Sequence, residues 1–316
     1  MGRFLNDFTS VASSIGVISA FHLVAFPRIA SRFSNYTYNE LFNKAVDNFI
    51  HKYLGKSADN PEFTNVQYEN SSKESKIPDI IWVFWWQGED AMPGVIKECY
   101  ESVKRNANGR EIRLITQSNY SEWIKLPIHI DKKFRNHIIS FPHFSDIIRL
   151  QLLYNYGGLW LDAAVFVTKP IVIPNSSFYS PRITEEASSA PHLSQWVISV
   201  MGGECKHPLF RYVYQLLIDY WAKYDAVFSY LMFDYFIRYG YEHIKWIKDL
   251  IDSRPIDSPN FFETRYTFNN EVDYQHLNSL LENNTFISLT YRIPYNNTTE
   301  NGKETYFAAL LKHSKN

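Results

Sequence analysis

FSDIIRLQLLYNYGGLWLDAAV, residues 144–165, decides how the rest of the chain is read. Its first half belongs to a helix over 143–156, and Gly157 and Gly158 end that helix, since glycine enters left-handed backbone without a Cβ penalty. The apolar run LWLDAAVFV then reads as a strand. Asp162 sits inside it, where aspartate is disfavoured and an unpaired buried carboxylate is costly. The charge has to be compensated. A site holding a metal-bound diphosphate or sugar hydroxyls would supply cation and donors together; capping of a nearby helix or pairing with Arg149 would also serve. Asp146 and Arg149, three residues apart on the helix, project from one face toward the same neighbourhood. Alone, such a pair is usually a surface ion pair of little consequence.

Outward from this stretch the chain alternates. Upstream, IPDIIWVFWWQG (77–88) opens with a buried strand, Pro93 starts a helix over 94–106, and EIRLIT (111–116) is a second strand. A further helix is expected over 130–140. This order predicts an α/β fold with a mostly parallel sheet flanked by helices, and ligands gather at the carboxyl ends of such strands. The site is therefore expected near residues 85–88 and 162–164. Downstream the expectation is a loop-rich stretch, a strand near QWVISVM (195–201), helices over 208–222, 227–239 and 242–252, and a final sixty residues folded back on the main body. At the other end, 36–54 reads as helix and 55–75 as a polar linker. The chain thus divides into a helical N-terminal extension with linker, 1–75, and a main domain, 76–316.

Composition narrows the class. The chain has 316 residues, 45% of them apolar, enough for one large core. A net charge of -1 gives no general attraction to nucleic acid, which is excluded as a partner. Aromatic residues make up 17%, which fits either a sugar or nucleotide ligand or an aromatic-rich core. Cys99 and Cys205 lie in unrelated contexts without metal-ligand spacing, so a reducing, cytoplasmic compartment is expected. No charged residue occurs from Phe8 to Pro27. Thr9, Ser10, Ser13, Ser14, Gly16, Ser19 and His22 argue against a membrane-spanning helix. Phe8, Val11, Ile15, Ile18, Phe21 and Ala25 follow helical spacing, so this amphipathic segment either packs on the chain or lies in a membrane surface through residues 1–30. The second alternative puts the protein peripherally on the inner face of the cell membrane.

The central stretch resembles the SDxxRxxxLxxxGGxxxDxD signature of glycosyltransferases with the GT-A fold, specifically the capsular polysaccharide synthesis branch of glycosyltransferase family 32. Yeast-type mannosyltransferases and the large clostridial glucosylating toxins carry the same signature. IPDIIWVFWWQG is similar to the IPKIIHQIWIG-type first strand of these enzymes, and the two likenesses cover roughly residues 77–170. The resemblance implies a GT-A, Rossmann-like domain that binds a UDP-sugar donor. In it Trp85 would stack on the nucleotide base, with Trp86 and Gln87 beside it. Asp146 would contact ribose or sugar hydroxyls, and Arg149 would hold sugar or phosphate. Asp162 would be the first aspartate of the DxD motif, binding donor hydroxyls and a divalent cation, Mn²⁺ or Mg²⁺. Gln195 would bring its amide to the reacting carbon.

Two departures from the pattern matter. Ala164 stands where the second aspartate belongs, which removes a direct metal ligand and puts metal dependence in question. Relatives often carry a His-Lys pair near the C-terminus, where this chain has Ile287 and Ser288, so Arg292 would take the phosphate-facing role. The implied activity is that of a bacterial retaining hexosyltransferase, with galactose or glucose favoured, acting on a lipid-linked saccharide acceptor in capsular or surface polysaccharide synthesis. A mannosyl- or protein-directed transferase and a carbohydrate-binding pseudoenzyme are the alternatives.

Overall fold

The computed structural model describes residues 35–66, 76–183, 191 and 195–314. The amphipathic segment expected over 8–27 lies outside these residues, as do residues 67–75 of the expected linker. Among the described residues no helix is long and apolar enough to cross a membrane.

The chain opens with α1 (Asn35–Ala58), which buries Val46, Phe49, Ile50, Leu54 and Ala58, one stripe at helical spacing. It runs past the expected end at 54, and α2 (Pro61–Thr64) follows, started by Asn60 accepting from the Glu62 amide at 2.9 Å. Residues 55–64, expected as linker, are therefore largely helical. Polar composition misled here because Ala58 and Phe63 still supply buried anchors.

Next come β1 (Ile80–Phe84), α3 (Gly94–Asn106) and β2 (Glu111–Ile115), as expected. α4 (Tyr120–Trp123) is a single turn. α5 (Ile128–Arg135) stops short of the expected 140, because Asn136 ends it and His137 takes a positive φ of 58°. α6 (Phe141–Tyr156) leads through the two glycines into β3 (Gly158–Leu161).

The expected strand LWLDAAVFV is two strands. After Leu161 the chain turns, with the Val165 amide bonded to the Asp162 carbonyl at 2.9 Å, and enters β4 (Val165–Val167) in a different sheet. Asp162 is thus at the end of a strand and not within one. β5 (Phe178–Tyr179) and β6 (Val200–Gly203) follow, the latter later than the expected 195–201 because residues 198–199 form a turn. α7 (Pro208–Lys223), α8 (Met232–His243) and α9 (Lys245–Asp252) are the three downstream helices. α8 begins after the expected 227 because Ser229 Oγ accepts from the Leu231 amide in a turn. α10 (Thr264–Thr267), α11 (Tyr274–Asn283), β7 (Phe286–Ser288) and α12 (Tyr306–His313) complete the fold.

The main sheet has the order β2-β1-β3-β6-β5. β1 pairs in parallel with β2 and β3, while β6 is antiparallel to both β3 and β5. Four strands therefore point one way and β6 is reversed. Side chains alternate across the sheet as the pleat requires. Trp82, Trp160 and Met201 face the core shared with α6, α7, α8 and α1. Ile81, Val83, Leu159 and Leu161 face the core shared with α3. The final residues do fold back: β7 pairs with β4, in the register Val165↔Ser288.

Gly157 and Gly158 join helix to sheet at φ values of 65° and 98°. A Cβ on Gly157 would lie 2.8 Å from both the Gly203 carbonyl and the Cys205 amide. The Gly157 carbonyl also accepts from the buried Trp82 indole at 2.8 Å, so the junction is locked to β1.

Candidate active site

A cleft of about 750 Å³ opens at the carboxyl ends of β1 and β3, within the range of small-molecule sites. It is bounded by the residues following β1, by α6, by the Asp162 turn, by residues 196–199, by α8 and by residues 289–292. Trp85, Trp86, Gln87, Asp146, Arg149, Asp162, Ala164 and Arg292 all line it. The expected site residues therefore meet in one place, with a single exception. Gln195 is not part of the lining: its carbonyl accepts from Arg254, behind the cleft wall, and its side-chain oxygen is buried without a partner among the described residues. The neighbouring Trp196 reaches the cleft instead.

Arg149 is the centre of the floor. It is 3% exposed in its side chain, yet it is fully engaged at its tips. Nη1 donates to the Ile198 carbonyl at 2.7 Å, and Nη2 donates to Asp162 Oδ1 at 2.9 Å and lies 3.3 Å from Asp146 Oδ1. The guanidinium also sits over the Trp160 ring at 4.9 Å. Asp162 Oδ1 takes a second bond, from Trp160 Nε1 at 2.7 Å. Pairing with Arg149, one of the ways to compensate Asp162, is thus realised within the cleft itself.

Asp234 on α8 is a residue of the floor that sequence reasoning missed. It lines the cleft, is buried, and accepts from Trp196 Nε1 at 2.9 Å. The only signal was an aspartate within the aromatic stretch YLMFDYF, which reads as core. Three carboxylates, Asp146, Asp162 and Asp234, therefore gather around one guanidinium. Burial, opposed by Arg149 and reinforced by Asp162 and Asp234, pushes the Asp146 carboxyl up to about 7. Burial likewise pushes Asp234 up to about 7, although the Trp196 bond and Arg149 oppose it. Buried acids in this state are hydrogen-bonding partners for a ligand rich in hydroxyls.

The aromatic wall divides its work. Trp86 is packed among Tyr120, Phe134, Phe141 and Phe144, with ring centroids 5.2–5.9 Å away. Trp85 meets Tyr291 edge-on at 5.8 Å, and its indole nitrogen is buried without a partner among the described residues. Gln87 is exposed at the mouth. Ala164 contributes no donor to the cleft beyond its backbone; its carbonyl accepts from the Leu289 amide at 2.9 Å. A divalent cation would find the Asp162 carboxylate, whose Oδ1 already takes two bonds, and no group of three acidic, histidine or cysteine side chains suited to a metal occurs among the described residues. This donor set is a poor fit for a protein-held metal.

Residues 29–310 match the family described as capsular polysaccharide synthesis protein. The chain belongs to that family. The match takes in every cleft residue named above. Among curated proteins, the O-glycosyltransferase braB of Annulohypoxylon truncatum is 28% identical over 101 residues, or 29% of this chain and 24% of that protein. The chain thus spans about a quarter of that relative's length. Among solved structures, PaToxG Glycosyltransferase aligns over 67% of this chain and 83% of its own, at 15% identity and a TM-score of 0.38.

Proposed function

We propose that this capsular polysaccharide synthesis protein is a glycosyltransferase that takes a hexose, galactose or glucose, from a UDP-sugar. The observation that carries the reading is the floor of the cleft, where Asp146, Asp162 and Asp234 gather about Arg149 in the same cleft that Trp85 lines. Carboxyl groups with raised proton affinity suit sugar hydroxyls, and a flat indole with an unpartnered N–H suits a base. Tyr230, Tyr266 and Tyr291 are exposed at the rim and offer faces for the sugar rings of an acceptor. A lipid-linked saccharide is the acceptor proposed, with residues 1–30 bringing the protein to the membrane that carries it.

In the reaction the bond from the anomeric carbon to the diphosphate breaks, and its electron pair goes to the departing phosphate oxygen. The acceptor oxygen bonds the same carbon on the same face, and its proton passes to the leaving phosphate. Positive charge grows on the sugar ring during this step, next to the carboxylate of Asp162. No side chain is assigned as a covalent nucleophile, which suits retention by same-face attack.

Donor hydrolysis across nucleotide sugars tests the reading, with native chain and Asp162→Ala compared in Mn²⁺ and in chelator. Turnover of a UDP-hexose should fall about a hundredfold in the variant, the loss of one transition-state charge contact. Equal turnover in the two proteins sinks the assignment. Ala164 favours one further reading, a carbohydrate-binding protein without turnover. Saturable binding of a UDP-sugar with no hydrolysis or transfer under any metal condition would identify it.

A further inference from the structure

The mouth of the cleft carries two cations that the floor does not use. Arg265 and Arg292 both line it, and among the described residues neither has a carboxylate within ion-pair distance. Arg265 is held in place: its Nε donates to Ser288 Oγ at 2.7 Å, its guanidinium lies over the Phe262 ring at 4.8 Å, and its carbonyl accepts from Tyr295 at 2.9 Å. Arg292 is exposed, and its Nη2 rests 3.3 Å from the Tyr230 hydroxyl. Burial holds Arg265 below its ordinary value, opposed by the more distant Asp162 carboxylate and reinforced by Arg292. Two like charges are thus kept in one cleft with no carboxylate in direct contact with either, among the described residues.

Their placement is set by the small sheet. Ser288, the anchor of Arg265, is the register partner of Val165, three residues after Asp162. The next residue, Leu289, bonds the Ala164 carbonyl, and Arg292 follows three residues later. Both guanidiniums are therefore tied to the turn that carries Asp162. Ala164 supplies no carboxylate there, and Asp162 alone makes a poor metal site. A ligand with more than one negative charge fills the requirement, because each guanidinium presents several donors to phosphate oxygens.

We infer that Arg265 and Arg292 form a diphosphate subsite, which holds the nucleoside diphosphate of the donor and takes up its charge as it leaves, in place of a protein-held metal. This rests on the glycosyltransferase reading above.

Calorimetric titration of UDP, UMP and uridine tests it, with GDP run in parallel, in chelator and in Mn²⁺. The proteins are the native chain, Arg265→Gln, Arg265→Lys and Arg292→Gln. UDP should bind the native chain in chelator within about threefold of its affinity in Mn²⁺. Each Gln variant should weaken UDP by about tenfold or more, the size of a lost charge-assisted contact, and leave uridine unchanged, while Arg265→Lys recovers part of the loss. A melting curve for each variant confirms folding, and the exposed Arg292 provides a variant free of buried contacts. The inference is overturned if both Gln variants bind UDP like the native chain, or if chelator abolishes native UDP binding. If the native chain binds neither UDP nor GDP in either condition, the glycosyltransferase reading falls with it.

Discussion

Arg149 joins three separate segments, α6, the Asp162 turn and the turn at Ile198, through its two terminal nitrogens. A lysine has one nitrogen and cannot keep this fork. Arg149→Lys should therefore cost about 3 kcal/mol or more, the scale of breaking a buried ion pair; an unchanged denaturation midpoint would contradict it. Asp146 and Asp234 make a different kind of prediction. Their folded values are raised from 3.8 to about 7, so the fold binds more protons than the unfolded chain between those limits. The stabilisation they contribute is complete below the unfolded value and is lost as pH rises through about 7. Native stability should decline between about pH 4 and pH 7 and then level, whereas Asp146→Asn combined with Asp234→Asn should flatten that slope. At this scale the sequence disclosed Asp146, Arg149 and Asp162, because a charge in an apolar or periodic setting stands out. It hid Asp234 and Arg265. The first is masked by surrounding aromatics that read as core, and the second lies in a segment without periodicity, where only tertiary contact with Ser288 gives it a direction.

Elements were legible where local chemistry marks their ends. Pro93 marks the start of α3 and Gly157 the end of α6. The break between β3 and β4 was not, since a continuous apolar run cannot show where a chain changes sheets. The helix-to-sheet junction should tolerate no side chain: Gly157→Ala combines a left-handed φ with backbone contacts of 2.8 Å. We expect a loss of about 2 kcal/mol or more in chemical denaturation. α1 is likewise part of the core and not an appendage, with Phe49 packed against Tyr53, Tyr220, Tyr224 and Phe228 at 5.1–6.2 Å. Phe49→Ala should cost about 3–5 kcal/mol, and a loss below about 1 kcal/mol would show that α1 docks independently of the fold.

For the molecule as a whole, the alternation of strand and helix was enough to place the site at the carboxyl ends of β1 and β3, because that location follows from the handedness and packing of parallel units. Membrane attachment belongs to the same scale. Flotation with liposomes should fall when residues 1–30 are removed, and equal flotation of the two proteins would refute a role for them. The pairing of β4 with β7 has one more consequence, for synthesis. β4 leaves the ribosome long before β7, its one partner strand among the described residues, exists, and the segment that carries Arg292 emerges after both. The floor of the cleft can assemble while translation continues, but its mouth closes only when the chain is nearly finished, so a prematurely terminated product would expose the apolar back of β4 to chaperones and proteases instead of offering a half-working enzyme.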